Sequence, residues 1–170
     1  MPDGALSSDG FYSPSISKEA EPHPLDRDDE TPIIRVLRKR LGNRQLVIQT
    51  DHPDPDWLNR ALDEFNRVAT LPRGWDSYGA LPIDQDTLER AFDVFGRIMV
   101  SRAYQPQIGG INTGGISIEW HRPDKGLEIR VESPRHVYAY YYDDSKNIEW
   151  EDEVGNDLDQ LVPYLDRLEV

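Results

Sequence analysis

The chain has no cysteine among its 170 residues. Disulfides and thiolate metal sites are thereby excluded, and a reducing compartment suits it. Long apolar runs are also missing: none approaches the roughly 18 residues needed to cross a bilayer. The opening MPDGALSSDGFYS lacks the basic region and apolar stretch of a secretory signal. A soluble, cytoplasmic protein is the expectation. Ligand grammar is scarce as well. The four histidines, His23, His52, His121 and His136, show no HxH or HExxH spacing. The glycine-rich stretch Gly109–Gly115 lacks the G-K-[ST] ending of a phosphate loop and leads into a strand pattern, so it reads as a flexible connector. The acidic stretch 143–159 lacks the ordered spacing of a calcium loop. No metal and no cofactor are expected.

Acid is what the chain has in excess, with a net charge of −13 that is unevenly spread. Residues 1–31 carry −6, residues 32–50 carry +5 with no acid at all, and residues 51–170 carry −12. So negative a field repels a phosphate backbone at long range and favours a basic partner. Direct nucleic-acid binding by the folded part is disfavoured. Solubility alone is the plainer explanation of the charge.

Residues 1–31 are rich in Pro, Ser, Asp and Glu without apolar periodicity, and read as a disordered acidic tail. Residues 32–170 read as a single α+β domain, opened by a basic segment over 32–50. There Ile33, Ile34, Val36, Leu37 and Leu41 fit either a short basic helix or a strand; Gln45–Thr50 fits an edge strand, with Gly42-Asn43 as the turn. A helix is expected from Pro55 to Thr70, with Asp54 as N-cap and Leu58, Ala61, Leu62, Phe65 and Ala69 on one face. A second is expected from Gln85 to Arg102, capped by Asp84. Four alternating runs then predict a four-stranded antiparallel meander, GISIEWH, LEIRVES, HVYAYYY and NIEWED. A C-terminal helix starting near Asp157 completes it, delayed or kinked by Pro163. The helices would pack on one sheet face, over Ile116, Ile118, Trp120, Leu127, Ile129, Val131, Val137, Ala139, Tyr141, Ile148 and Trp150.

Between the two helices lies the most distinctive loop, LPRGWDSYGALPI over 71–83. Trp75 would plug the helix–helix junction and Asp76 would bond nearby backbone N–H groups; the competing reading makes Trp75, Asp76 and Tyr78 a binding loop on a rigid frame. The run WDSYGALPI, followed by a helix and GGISIEW, resembles a small uncharacterised bacterial protein family sharing WD(G/S)Y(G/D)A-x-P and GGI-x-(I/L)-EW. The resemblance spans Leu71 to about Tyr142. It implies a bacterial or phage origin and a standalone domain, and carries no activity or catalytic residues with it.

Alternation sends Ser117, Glu119, His121, Glu128, Arg130, Glu132, Tyr138, Tyr140, Tyr142, Glu149 and Glu151 to the opposite sheet face. Three tyrosines in a row, with Arg130 placed to stack on them and Glu149 beside them, form the candidate partner-binding surface. The edge strand, the tail or a homodimer mate are alternative covers for it. Glu119 and Glu128 would face each other across a hairpin. With His121 they form the candidate acid–base set of a small hydrolase, against the default of a solvated salt-bridge ladder. The basic segment, Arg35, Arg38, Lys39, Arg40 and Arg44, is the candidate nucleic-acid contact, against the default of a surface element paired to the acidic domain. The leading expectation is a non-enzymatic acidic interaction module, antitoxin-, immunity- or inhibitor-like, whose carboxylates occupy the phosphate sites of a nucleic-acid enzyme or another basic protein.

Overall fold

The computed structural model describes residues 35–50, 56–99 and 105–169. The expected tail, the Asp54 cap and Arg102 lie outside them. The chain divides into Met1–Pro32 and Ile33–Val170, and the elements all belong to the second unit. They run β1 (Arg35–Leu41), β2 (Arg44–Thr50), α1 (Asp56–Ala69), α2 (Gln85–Met99), β3 (Gln107–Gly110), β4 (Ile116–His121), β5 (Lys125–Val131), β6 (Val137–Asp143), β7 (Ile148–Glu153), a 3-10 turn (Asp159–Leu161) and α3 (Val162–Glu169). Among the described residues the architecture is α+β, with three helices and two antiparallel sheets. No helix among the described residues is long and apolar enough to cross a membrane.

The large sheet has five strands in sequential order, where four were expected. The extra strand is β3, whose sequence QIGG is too short and glycine-rich to register as a strand. Its pairing supplies what periodicity cannot: Gly110 lies opposite Ile116 and Gln107 opposite Glu119. The inner face follows the expected alternation. Ile116, Ile118, Trp120, Leu127, Ile129, Val131, Val137, Ala139 and Tyr141 are all buried. Ile148 and Trp150 are half-buried instead, at the β7 edge, where Trp150 stacks on Tyr164 of α3 with centroids 4.5 Å apart.

Helix α1 buries Leu58, Ala61, Leu62, Phe65 and Val68; α2 buries Leu88, Ala91, Val94, Phe95, Ile98 and Met99. Phe65 meets Phe95 edge-to-face at 5.6 Å, joining the two helices. Each Leu, Ile, Val, Phe or Met among them withdrawn from water contributes about 1.5–3 kcal/mol. Asp84 caps α2, accepting from the Thr87 amide at 2.8 Å. Pro163 sits in the first turn of α3, where its missing N–H costs no helical bond. It delays the helix behind the 3-10 turn, so the start expected near Asp157 moves to Val162.

The basic segment is a hairpin, not a helix. A two-residue turn at Gly42-Asn43, with Gly42 at φ +58°, joins β1 to β2. This two-stranded sheet is separate from the large one and is held by the helices. Asn66 of α1 accepts from the Gly42 amide at 2.8 Å and donates to the Arg40 carbonyl at 3.0 Å. Gln85 donates to the Leu41 carbonyl, and Arg44 pairs with Glu89 of α2 at 2.9 Å. The edge strand expected as one cover of the tyrosine face therefore lies on the helices instead.

Candidate functional site

The outer face of the large sheet carries the candidate surface, and strand register orders it into rows. One row runs Gln107, Glu119, Glu128, Tyr140, Glu151 across all five strands. The row beside it runs Gly109, Ser117, Arg130, Tyr138, Glu153. On the other side lie His121, Gly126, Tyr142 and Glu149. Tyr138, Tyr140 and Tyr142 are half-buried and Glu149 is exposed.

Several of its polar groups have specific neighbours. The Tyr140 hydroxyl donates to Glu149 at 2.5 Å, and that bond to a carboxylate pushes the phenol up to about 12. Tyr142 lies across Gly126, where a Cβ would come within 2.6 Å of its ring. Its centroid is 6.2 Å from that of Tyr140. Arg130 does not stack on the tyrosines as expected; it reaches Glu132 at 2.5 Å and Glu128 at 4.0 Å. The guanidinium follows the carboxylates because two charged acceptors outweigh one ring. Ser117, expected outside, is buried at 6% exposure between Gly109 and Arg130.

Glu119 and Glu128 do face each other directly, and His121 lies within 2.9 Å of Glu119. Burial raises the Glu128 carboxyl first, and the Glu119 charge raises it further, while Arg130 opposes both. The pair remains on open sheet, with side chains 31% and 36% exposed. His121 and His136 stand at opposite ends of the sheet, His136 bonded to Glu153 at 3.0 Å. Among the described residues no group of three His, Cys, Asp or Glu side chains is placed to hold a metal ion.

The 71–83 loop is built tightly. Asp76 accepts from the Tyr78 amide at 2.8 Å and the Ala80 amide at 2.9 Å. Those bonds, Ala80 first, hold its carboxyl below the ordinary range. Ser77 at φ +67° lies between Gly74 and Gly79, both also at positive φ. Trp75, expected at the helix–helix junction, reaches β3. With Leu71 and Ile83 it covers Gly110 of β3, leaving no room there for a larger residue. Its Nε1 is buried with no acceptor among the described residues. Tyr78 projects from the tip at 94% exposure, and the Leu81 amide ties the loop to the Asn112 carbonyl.

The hairpin's cations divide. Arg44 is bound to α2, and Lys39 donates to Asn59 of α1 at 2.7 Å. Arg38 and Arg40 lie on its exposed face. Sequence reasoning missed β3 and with it the Gln107 and Gly109 ends of the two rows; only their pairing reveals them. Comparison with protein-family models, with curated proteins and with solved structures finds no match.

Proposed function

We propose that the protein is a non-enzymatic interaction module, of bacterial or phage origin, that docks the outer face of its large sheet onto a basic protein in the manner of an antitoxin, immunity protein or inhibitor. The observation that carries this reading is the row Glu119, Glu128, Tyr140, Glu151: three carboxylates and a phenol in register on adjacent strands. Like charges placed directly opposite cost stability in the free protein. A cationic partner relieves that cost while the flanking Tyr138 and Tyr142 supply area. Surface acids of this kind steer association and select against acidic or nucleic-acid partners.

The test compares capture by the intact chain with capture by a Glu119→Lys/Glu128→Lys/Glu151→Lys variant, followed by titration of the purified captured protein. The reading requires a basic partner whose affinity falls steeply with salt and is lost in the triple variant. Tyr140→Ala should weaken the same complex by about 2 kcal/mol while leaving the melting midpoint nearly unchanged. An acidic partner, or one retained by the triple variant, sinks the proposal. A second reading draws on the raised carboxyl of Glu128 beside Glu119 and His121. It makes the same residues the acid–base set of a small hydrolase. Hydrolytic turnover abolished by Glu128→Gln would favour it.

A further inference from the structure

Strand edges are the places where a fold invites another strand, and this protein blunts most of its own. The β3 edge is short, and Arg67 of α1 donates to the Ile108 carbonyl at 3.1 Å. The β7 edge carries Glu149, Glu151, Asp152 and Glu153. The β1 edge is capped where Asn66 takes the Arg40 carbonyl. Among the described residues β2 has none of these devices. From Gln45 to Gln49 it reads Gln-Leu-Val-Ile-Gln, five residues without charge or proline in a chain of net charge −13.

Register shows which backbone groups it leaves open. The two-residue turn makes Leu41–Arg44 the first hydrogen-bonded pair, followed by Lys39–Leu46 and Leu37–Ile48. Gln45, Val47 and Gln49 therefore turn their N–H and C=O groups away from β1, to the free side. All three are exposed, Val47 at 60%. Along that side runs a groove of about 580 Å³ lined by β2 and by Trp57, Phe92 and Gly96.

The segment is a chemical palindrome about Val47. An antiparallel copy centred there sets Gln45 opposite Gln49, Leu46 opposite Ile48 and Val47 opposite itself. The groove shares this complementarity. Arg44 binds Asp86 and Glu89, so β2 starts beside the first half of α2 and the groove runs from Glu89 towards Arg97. A two-fold axis through Val47 brings the Glu89 end of one copy to the Arg97 end of the other. Isologous contacts need this kind of self-complementarity.

We propose that the β2 edge is a homodimer interface: two copies pair β2 to β2, antiparallel about Val47, into a four-stranded ribbon joined by about six backbone hydrogen bonds. The surface is distinct from the tyrosine–acid face and the inference does not rest on the function proposed for that face.

The experiment is sedimentation of the full chain over a dilution series, with charge swaps at position 47. The wild-type chain should dimerise. Val47→Glu and Val47→Lys should each raise the dissociation constant by about a hundredfold, because each sets like charges face to face. Mixing the two variants should restore a dimer. Because the chain has no cysteine, Val47→Cys gives a second reading that tolerates loss of affinity. Hydrogen-bonded pairs lie about 5.5 Å apart at Cα, within disulfide reach. Mild oxidation should yield a covalent dimer, and Val36→Cys on β1 should not. A wild-type chain that stays monomeric overturns the proposal. So does a dimer that survives Val47→Glu but not Tyr140→Ala, or equal cross-linking from both cysteine positions.

Discussion

Trp75 shows how one side chain serves two masters. Its ring covers Gly110 with Leu71 and Ile83, yet its indole nitrogen is buried without an acceptor. An unpaired buried donor costs about 1–3 kcal/mol. Truncation therefore loses packing but also removes a penalty. Trp75→Ala should destabilise the protein by about 2–3 kcal/mol, below the roughly 3–5 kcal/mol of a fully buried aromatic. Trp75→Phe, which keeps most of the area and sheds the donor, should melt at or above the wild-type temperature. Thermal unfolding of both variants checks the pair. Asp76 sets the acid limit of the same loop. Its carboxyl is held low by the Ala80 and Tyr78 amides, so what it contributes is present at neutral pH and fades as pH falls through its lowered value. Tyr78 would then lose its fixed presentation in acid.

Elements divide by how well period and length speak for them. β4, β5 and β6 alternate cleanly over six or seven residues, and their inner residues are buried where alternation puts them. β3 is hidden because two of its four residues are glycine and it is recognisable only through its partner. β1 is ambiguous for a different reason. Ile33, Ile34, Val36, Leu37 and Leu41 satisfy both periods, and the choice falls to β2, which needs a partner strand. The outer-face tyrosines were legible from alternation alone. The Arg130 contact was not, because a long cation chooses among neighbours that only register reveals. Between elements, Asn66 is the main clasp of the hairpin, bonding Gly42 and Arg40 together. Asn66→Ala should cost about 1–2 kcal/mol in urea unfolding. Amide exchange should accelerate in 35–50 while the large sheet stays protected.

At the scale of the whole molecule, charge and topology decide behaviour. The facing glutamates raise the Glu128 carboxyl through burial and the Glu119 charge. The folded state then binds a proton more tightly than the unfolded chain does. Its contribution is complete below the ordinary glutamate range and is lost as pH rises through the raised value. Glu128→Gln should thus stabilise the protein at neutral pH by no more than about 0.5 kcal/mol, given its exposure to solvent screening. The gain should vanish near pH 4, as denaturant titrations at the two pH values would record. Binding of a cationic partner has the opposite linkage and should expel that proton.

The large sheet also has a kinetic character. Each of its strands pairs only with its neighbour in the chain, from β3 to β7, so no contact inside it waits for a distant segment. Loop closures within it are short, and folding is faster the more local the contacts are in sequence. The meander can thus assemble as a nucleus before α1 and the β1–β2 hairpin dock. Substitutions at the β4–β5–β6 centre, such as Ile129→Val, should slow refolding in stopped-flow traces. Asn66→Ala should leave the refolding arm untouched and act on the unfolding arm alone. A sheet wired in this way can close one hairpin at a time, whereas the β1–β2 hairpin is secured only once Asn66 of α1 and Gln85 of α2 are in place to hold its turn.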